Sequence, residues 1–266
     1  MISIILPFYN SESYISESIN SVLSQHYKSW ELLLINDGST DTSKEIALSF
    51  RDPRIRYFEQ ENKGVAAARN VGLAHMKGDY FCFLDADDVL PPNSLASRLL
   101  LFEQAPYMSF VDGVVQKVDV CLQQVVSIWR PSLQGTPLEE LIRLNGTCFL
   151  GLTWLIKRKP GRKYRFKEGL SHGEDLLFFM ELAREGGQYA YTEDIILHYR
   201  NTPGSAMKNL KGLERGYRSI EQEICQWPEI TPNLLRTYKN RWRSFMAKDY
   251  IKRGQLGDLL GLVKGL

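Results

Sequence analysis

The chain has 266 residues, of which 44% are hydrophobic and 24% are charged, and its formal net charge is +2. These values predict a soluble globular protein with one large domain, or one domain with a smaller appendage, and they give no indication of a nucleic-acid partner. The four cysteines have no CxxC spacing, so we expect free thiols rather than a zinc site or a disulfide framework. The first residues lack the basic region of a signal peptide, and no apolar run approaches the roughly 20 residues of a membrane span. We therefore expect a cytoplasmic protein.

The first hundred residues alternate between short apolar runs and amphipathic stretches. We predict strands at 2–6, 30–35, 55–59 and 80–84, the first of which ends at Pro7, and helices between them. This alternation is typical of a parallel, doubly wound sheet. Because right-handed crossovers place the carboxyl ends of parallel strands at one edge, the turns after the first, second and fourth strands should meet there.

The fourth predicted strand ends in a cluster of acidic residues. Asp85, Asp87 and Asp88 follow the apolar run directly, and two prolines close the turn. Carboxylates this close repel one another unless a cation joins them, and their hard oxygen atoms suit Mg²⁺ or Mn²⁺ held together with substrate phosphates. A solvated acidic turn is the alternative. No predicted strand is followed by GxGxxG and no P-loop occurs, so a nucleotide would be held by side chains and a metal.

The middle of the chain is less regular. We predict one or two strands in 111–126 and a short helix at 138–144, and Glu174 and Asp175 lie at or near the start of another helix. Carboxylates at the start of a helix are common as simple partners of the helix dipole. Taken alone, they do not indicate a functional site.

The last stretch, 209–266, is mostly helical in its pattern and is basic, with 11 Lys or Arg against 6 Asp or Glu. Its cations are interleaved with aromatic and aliphatic residues. A helix of this kind can lie on an anionic membrane, or it can pack on the domain with a solvated basic face. The sequence leaves both interpretations open.

Six segments, in their order and spacing, resemble the family 2 glycosyltransferases of the GT-A fold. They are IILPFYN (4–10), SINSVLSQ (18–25), INDGSTD (35–41), NKGVAAARNVG (62–72), FLDADD (83–88) and GED (173–175). The resemblance covers roughly residues 1–205, and its first hundred residues are the most specific. It implies an α/β protein of the GT-A type, Rossmann-like, with a mostly parallel central sheet flanked by helices and a small C-terminal helical region.

The same resemblance suggests a division of the chain into domains. A GT-A catalytic domain would span 1–208, with a nucleotide-binding half at 1–104 and an acceptor-binding half at 105–208. A helical extension at 209–266 would follow. No long membrane region of the kind that processive synthases carry follows the catalytic segments, which favours the transfer of one sugar over polymer extrusion.

The family implies an inverting, metal-dependent transfer of a sugar from a UDP-sugar donor to an acceptor hydroxyl. The product would belong to a polysaccharide, a lipid-linked oligosaccharide or a glycolipid, so the acceptor would be a saccharide or a lipid-linked saccharide. A divalent metal, Mn²⁺ or Mg²⁺, would be the cofactor. The basic helices could touch the inner face of the cell membrane, and a homo-oligomer is a further expectation. The alternatives are a catalytically silent nucleotide- or glycan-binding module on the same fold, or another metal-dependent enzyme such as a phosphatase.

By resemblance, the nucleotide side of the cleft draws on the first half of the chain. Tyr9 would stack on the base, Asp37 would accept a hydrogen bond from uracil N3–H, and Asp85 would meet the ribose or the donor sugar. The complete set of nucleotide-binding residues is Pro7, Tyr9, Asp37, Asn62, Gly64, Arg69, Asp85 and Ala86.

The remaining roles fall on the acidic turn and on the second half. Asp87 would hold the metal, and His198 would be either a second metal ligand or a packed strand residue. Arg200 and Ser205 would belong to a loop that closes over the diphosphate. Asp175 would be the catalytic base, which inversion requires on the face of the sugar opposite the leaving group. Two residues would touch the acceptor, namely Glu174 and His172.

Overall fold

The structure, a computed structural model, describes residues 1–202 and 208–264, the last two of these as backbone only. Its strands are β1 (Ile2–Phe8), β2 (Trp30–Asn36), β3 (Ile55–Glu59), β4 (Tyr80–Phe83), β5 (Met108–Val118), β6 (Val125–Trp129), β7 (Leu155–Lys157) and β8 (Gln188–Arg200). Its helices are α1 (Ile15–Leu23), α2 (Ser43–Ser49), α3 (Val65–His75), α4 (Ser94–Gln104), α5 (Leu138–Arg143), α6 (Glu174–Arg184), α7 (Leu210–Ile224), α8 (Pro232–Lys252) and α9 (Leu256–Lys264).

These strands form one sheet in the order β3-β2-β1-β4-β7-β5-β6, and β8 pairs with β5. The first four strands are parallel to one another, as the alternating pattern predicts. Beyond β4 the sheet is mixed, because β7 is antiparallel to both β4 and β5 while β8 is parallel to β5. The carboxyl ends of β1, β2 and β4 therefore lie at one edge, with the turns that follow them.

The central strands are buried on both faces. Every residue of β1 and β2 is buried, and successive side chains point to opposite sides of the sheet. Ile4 belongs to the apolar core on one side and Ile5 to the core on the other. Full burial stabilises each such side chain by roughly 1.5–3 kcal/mol, which fixes the register of these strands and the position of their terminal turns.

The first strand is longer than predicted and continues through Pro7 to Phe8. Proline lacks the N–H that a strand with two neighbours needs. Here β4 pairs with β1 only as far as Ile5, so that Pro7 has a strand partner on one side alone, Ile35 of β2. The N–H group that Pro7 lacks therefore costs no hydrogen bond between strands.

The C-terminal helices pack against the sheet domain. Four side chains of α8, at a spacing of four residues, are buried in the same core cluster as residues of β1 and β4; they are Tyr238, Trp242, Met246 and Tyr250. The packing interpretation of the basic helix is therefore confirmed for this face of α8. Within the described residues, none of the helices has the length and apolar character needed to cross a membrane.

Candidate active site

The turns after β1 and β2 place an aromatic ring and a carboxylate at the same edge of the sheet. Tyr9 follows β1 and is 48% exposed, although Pro7, two residues earlier, is buried. Asp37 follows β2, and its amide donates a hydrogen bond to the carbonyl of Phe8. An exposed aromatic ring and a buried carboxylate at the same edge of a sheet are suited to hold a planar, hydrogen-bonding group.

The Asp37 carboxylate holds the loop that precedes α3. Its Oδ1 accepts hydrogen bonds from Gln60 Nε2 at 2.6 Å and from the amide of Lys63 at 2.9 Å, and its Oδ2 accepts one from the amide of Gly64 at 2.9 Å. A carboxylate oxygen can accept two hydrogen bonds, so Oδ2 retains one acceptor position. The structure therefore brings Asp37 and Gly64 together, but it also gives Asp37 a structural task that the sequence did not indicate.

The turn after β2 also makes a close backbone contact with the Asn62 loop. Gly38 has a φ of +74°, and a Cβ added to it would lie 2.8 Å from the amide nitrogen of Asn62. Only glycine combines that conformation with that approach. The Asn62 loop and the turn after β2 consequently form one compact unit at the rim.

Arg69, from α3, connects the two halves of the chain. Its Nη2 donates to Asp85 Oδ1 at 3.0 Å and its Nη1 donates to Glu174 Oε1 at 2.9 Å. Both Arg69 and Glu174 are buried, whereas the Asp85 side chain is 41% exposed. Arg69 and Glu174 thus form an ion pair with each other, because a buried charge needs an opposite charge beside it. The nucleotide contact of Arg69 and the acceptor contact of Glu174 stay predictions.

The acidic turn is closed by a hydrogen bond from the Asp88 amide to the Asp85 carbonyl at 3.0 Å. The hydroxyl of Ser18 lies 2.7 Å from the carbonyl oxygen of Ala86 and 2.6 Å from that of Asp88. Ala86 is therefore buried, with its carbonyl directed at Ser18. These contacts fix the turn and leave the Asp85 and Asp87 carboxylates as its less buried acidic groups.

The surroundings of this turn disfavour the simultaneous ionisation of its three carboxyl groups. Burial raises the pKa of Asp88 well above its ordinary value, and repulsion by Asp85 and Asp87 adds to this. Burial and repulsion by Asp85 raise the pKa of Asp87 too. A bound cation would relieve this repulsion, so the donor set and its charge fit a divalent metal held by Asp87 with Asp85.

His198 reaches the acidic turn through its backbone, which exchanges hydrogen bonds of 2.9 and 3.2 Å with Val89. Its half-buried imidazole has a pKa below its ordinary value because burial disfavours the charged form. In the described part of the chain, however, no three His, Cys, Asp or Glu side chains form a group that could hold a metal. The structure does not gather His198 and Asp87 with a third ligand, so a metal here would take its remaining ligands from substrate phosphates and water.

Arg200, which we predicted to contact the diphosphate, is held inside the protein. Its side chain is 2% exposed and forms an ion pair with Glu17. Its Nε donates to the carbonyl of Asp87 at 2.7 Å and its Nη1 donates to that of Val120 at 2.6 Å. The backbone amide of Arg200 donates to Asp88 Oδ1 at 2.8 Å. Arg200 thus supports the acidic turn, and its phosphate contact stays a prediction. The other residue of the predicted diphosphate loop, Ser205, lies outside the described residues.

Thr202 is a site residue for which we predicted no role of its own, although it lies between Arg200 and Ser205 in the predicted diphosphate loop. Its hydroxyl donates to Asp87 Oδ2 at 3.2 Å. The pairing of β8 with β5 and the bridge from His198 to Val89 help to bring it to the turn.

The candidate base stands at the start of α6. Asp175 is the second residue of this helix, after Gly173 with a φ of +76°. Burial and the neighbouring charge of Glu174 raise its pKa to about 7, an effect that Arg69 partly offsets. A carboxylate with a pKa near the working pH is suited to general base catalysis.

His172, which we predicted to touch the acceptor, is buried against α7. A Cβ on Gly212 would lie 2.3 Å from its imidazole, and a Cβ on Gly216 would lie 2.4 Å from its carbonyl oxygen. These two glycines, one turn apart, allow α7 to lie directly on the loop before Asp175. His172 is consequently a packing residue of this contact, and its acceptor role stays a prediction.

Comparison with known proteins identifies the family of this chain. The model of the glycosyl transferase family 2 matches residues 3–165. The chain belongs to this family. The resemblance inferred from the six segments is thereby confirmed.

Glycosyltransferases with similar sequences are known from several bacteria. An uncharacterized glycosyltransferase of Rickettsia typhi is 44% identical over 268 residues, covering 96% of this chain and 81% of that protein. One from Haemophilus influenzae is 36% identical over 188 residues, covering 70% of this chain and 72% of the relative. Another, from Rickettsia felis, is 32% identical over 259 residues, and the chain spans 42% of its length.

Solved structures show the same fold. Residues 1–349 of Staphylococcus aureus TarS superpose with a TM-score of 0.73 at 21% identity, covering 98% of this chain and 79% of that one. The mannosyltransferase PcManGT of Pyrobaculum calidifontis, solved in complex with GDP-Man and Mn²⁺, gives a TM-score of 0.65 at 17% identity, covering 99% of this chain and 79% of that one. The predicted α/β GT-A fold is therefore confirmed.

Proposed function

We propose that this family 2 protein is an inverting, metal-dependent glycosyltransferase that moves one sugar from a UDP-sugar to an acceptor hydroxyl. Its product would belong to a polysaccharide, a lipid-linked oligosaccharide or a glycolipid. The observation that carries the proposal is the Arg69 bridge between Asp85 and Glu174. It couples the acidic turn, where a donor diphosphate would lie, to the helix that bears the candidate base.

A uridine donor is supported by the pair formed by Tyr9 and Asp37. Uracil N3–H can donate to the acceptor position that remains on Asp37 Oδ2, whereas cytosine has no N3–H to donate. The TarS fragment of similar fold was solved in complex with UDP-GlcNAc and with UDP. Those ligands belong to TarS, and for this chain they support the choice of UDP as the nucleotide to test first.

A divalent metal would be held by Asp87 with Asp85. When bound, it would neutralise charge that develops on the leaving diphosphate. Thr202 and the hydrogen bonds of the Arg200 amide and side chain hold the turn without a ligand. The protein thus supplies a preorganised pair of carboxylates, which costs no rearrangement at the moment of reaction.

Asp175 would take the proton of the acceptor hydroxyl as that oxygen attacks the anomeric carbon. The bond from the anomeric carbon to the diphosphate oxygen breaks on the opposite face, so that the configuration inverts. The negative charge of Glu174 raises the proton affinity of Asp175, and Arg69 limits this rise. Glu174 and Arg69 are therefore positioning residues that set how readily the base accepts its proton.

Calorimetric titration with UDP, with and without Mn²⁺, tests the donor site. We expect Mn²⁺-dependent UDP binding and far weaker binding of CDP. Asp87→Asn should remove the metal dependence, whereas Asp194→Asn, an exposed control on β8, should bind as the wild type does. Release of UDP from a panel of UDP-sugars then distinguishes an enzyme from a silent binding module. Absence of metal-dependent binding to any nucleotide would refute the proposal.

Contact with the cytoplasmic face of the membrane belongs to the same proposal. Three aliphatic side chains at the end of the chain are exposed, near Lys248 and Lys252; they are Ile251, Leu256 and Leu260. Apolar residues beside cations favour an anionic lipid surface. Cosedimentation with vesicles that contain phosphatidylglycerol should be lost in high salt, and equal binding to neutral vesicles would contradict this contact.

A further inference from the structure

A cavity of about 280 Å³ lies between α6, the loop after α5 and the C-terminal helices. Leu176, the residue after Asp175, forms part of its wall. The loop after α5 forms a second part, and the C-terminal helices α7 and α8 form the third. The residues that matter for its chemistry are Asn145, Phe149, Leu176, Tyr217, Arg241 and Phe245.

The loop after α5 is preorganised for this wall. Leu144 and Gly146 have φ values of +52° and +71°, so the chain reverses sharply after the helix. Glu140 Oε2 then accepts hydrogen bonds from Asn145 Nδ2 at 2.9 Å and from Thr147 Oγ1 at 3.1 Å. The polar groups of the loop are therefore held in place without a ligand.

Tyr217, in the opposite wall, is also held by contacts with its neighbours. The ring of Tyr217 stacks on that of Trp242, with 6.0 Å between centroids and an interplanar angle of 11°. Its carbonyl accepts a hydrogen bond from Tyr238 Oη at 3.2 Å. The preceding residue, Gly216, is the one that packs on the backbone of His172. The position of Tyr217 is thereby tied to the loop that precedes the base.

The charge of the candidate base also reaches Tyr217. Burial raises the pKa of its phenol above the ordinary value, and the charges of Asp175 and Asp249 add to this. One wall residue of the cavity thus responds to the charge of the candidate base, and another, Leu176, follows that base in the chain.

The lining combines flat apolar surfaces with polar groups. Tyr217, Phe245 and Phe149 supply aromatic rings, while Asn145 and Arg241 supply hydrogen-bond donors. The guanidinium of Arg241 is exposed and lies 5.1 Å from the centroid of the Phe245 ring. A pyranose has the matching chemistry, because one face is made of C–H groups and its edge carries hydroxyls. The volume of about 280 Å³ lies just below the range of ligand sites, which is roughly 300–1,000 Å³, and so suits one sugar ring.

We propose that this cavity receives one pyranose unit of the acceptor saccharide, so that the C-terminal helices take part in acceptor selection. The proposal rests on the function proposed above. It assigns Phe245 and Arg241 to specificity and not to the chemical step. A larger cavity of about 720 Å³ is a weaker candidate, because Arg162 and Arg184 in its lining are already paired with Glu185 and Glu229.

Saturation-transfer NMR with a panel of methyl glycosides, in the presence of UDP and Mn²⁺, tests the cavity. The panel contains the methyl glycosides of glucose, galactose, mannose, rhamnose and N-acetylglucosamine. We expect at least one to bind. Phe245→Ala and Arg241→Ala should each weaken that binding about threefold to tenfold, the effect of removing one aromatic or polar contact. Phe245→Tyr should retain binding because it preserves the ring.

Arg236→Ala is the matched control, since Arg236 is exposed on α8 and does not line the cavity. UDP affinity and melting temperature should be unchanged in Arg241→Ala, whose side chain is exposed, so that a folding defect does not imitate the result. Glycoside binding that survives both cavity variants would overturn the proposal, as would the absence of binding by every glycoside of the panel. If the proposed function itself is wrong, the wild-type protein does not bind UDP. This outcome is distinct from a failure of glycoside binding alone.

Discussion

The two halves of the sheet are stabilised in different ways. The strands β1 to β4 are parallel, and their register follows from apolar side chains buried on both faces. From β5 onward the sheet is mixed, and the site residues of this half are held by contacts between distant segments, such as the hydrogen bond between the Arg200 amide and Asp88. The first half presents its groups through local turns, whereas the second half depends on assembly of the whole molecule. Substitutions in the two halves should therefore have different effects on stability and activity.

The largest effect should come from the candidate base in the second half. Asp175→Asn should lower the turnover rate by about 10²–10⁴-fold, the usual contribution of a general base, and should leave UDP affinity unchanged. In the wild type, the rate should rise with pH up to about 7 and then level off, because the base acts only when it is deprotonated. Initial rates of UDP release across pH measure both effects. A pH profile that is flat between 5 and 9 would contradict the assignment.

The next largest effect should come from breaking the link between the halves. Arg69→Met leaves Glu174 buried without its partner, which should lower the free energy of unfolding by about 3–5 kcal/mol. Urea denaturation measures this. The double variant Arg69→Met with Glu174→Gln should recover part of the loss, because the buried charge is gone. Additive losses in the double variant would show that the pair is not coupled.

A smaller effect should be confined to the first half. Asp37→Ala removes the acceptor of three hydrogen bonds in the loop before α3. Hydrogen bonds to a charged group contribute about 1.5–3 kcal/mol each at most, and water can replace part of them at this rim. We expect amide exchange to accelerate in 60–64, with UDP affinity reduced and exchange in α6 unchanged. Faster exchange in α6 would contradict the independence of the two halves.

The smallest effect should come from a single methyl group at the contact of α7 with His172. Gly216→Ala places a Cβ 2.4 Å from the carbonyl oxygen of His172 and should destabilise the protein by about 1–3 kcal/mol. Gly257→Ala on α9 is the matched control, since its Cβ would meet nothing within 4 Å, and it should be neutral or slightly stabilising. Equal melting temperatures for the two variants would show that α7 can move away without cost.

The sequence predicts the first half of the molecule well for a physical reason. Parallel strands with buried faces have one register, so the meeting of the turns after β1, β2 and β4 follows from the pattern alone. The positions of Asp37 and Asp85 at this edge are an example. The strand β7 and the full length of β8 escape prediction because their partners are distant in sequence.

The environment of each site residue was harder to predict than its place in the chain. A sequence shows that Arg200 is a cation near a predicted loop, but not that Glu17 and two carbonyl groups already occupy it. Likewise, the basic pattern of α8 suited a membrane or a protein core equally well. The four buried side chains of α8 show that one face of this helix packs in the protein core. The opposite face keeps its cations exposed.

The continuous core that joins β1 and β4 to α8 also bears on how such enzymes could be recombined. Exchange of the C-terminal helices between relatives is an obvious way to alter acceptor choice. In this molecule Tyr217 and Phe245 share a cavity with the loop after α5, and Gly216 touches the loop before α6. A chimera that transplants the helices alone would mismatch both surfaces. The smallest exchangeable module therefore includes these two loops together with α7 and α8.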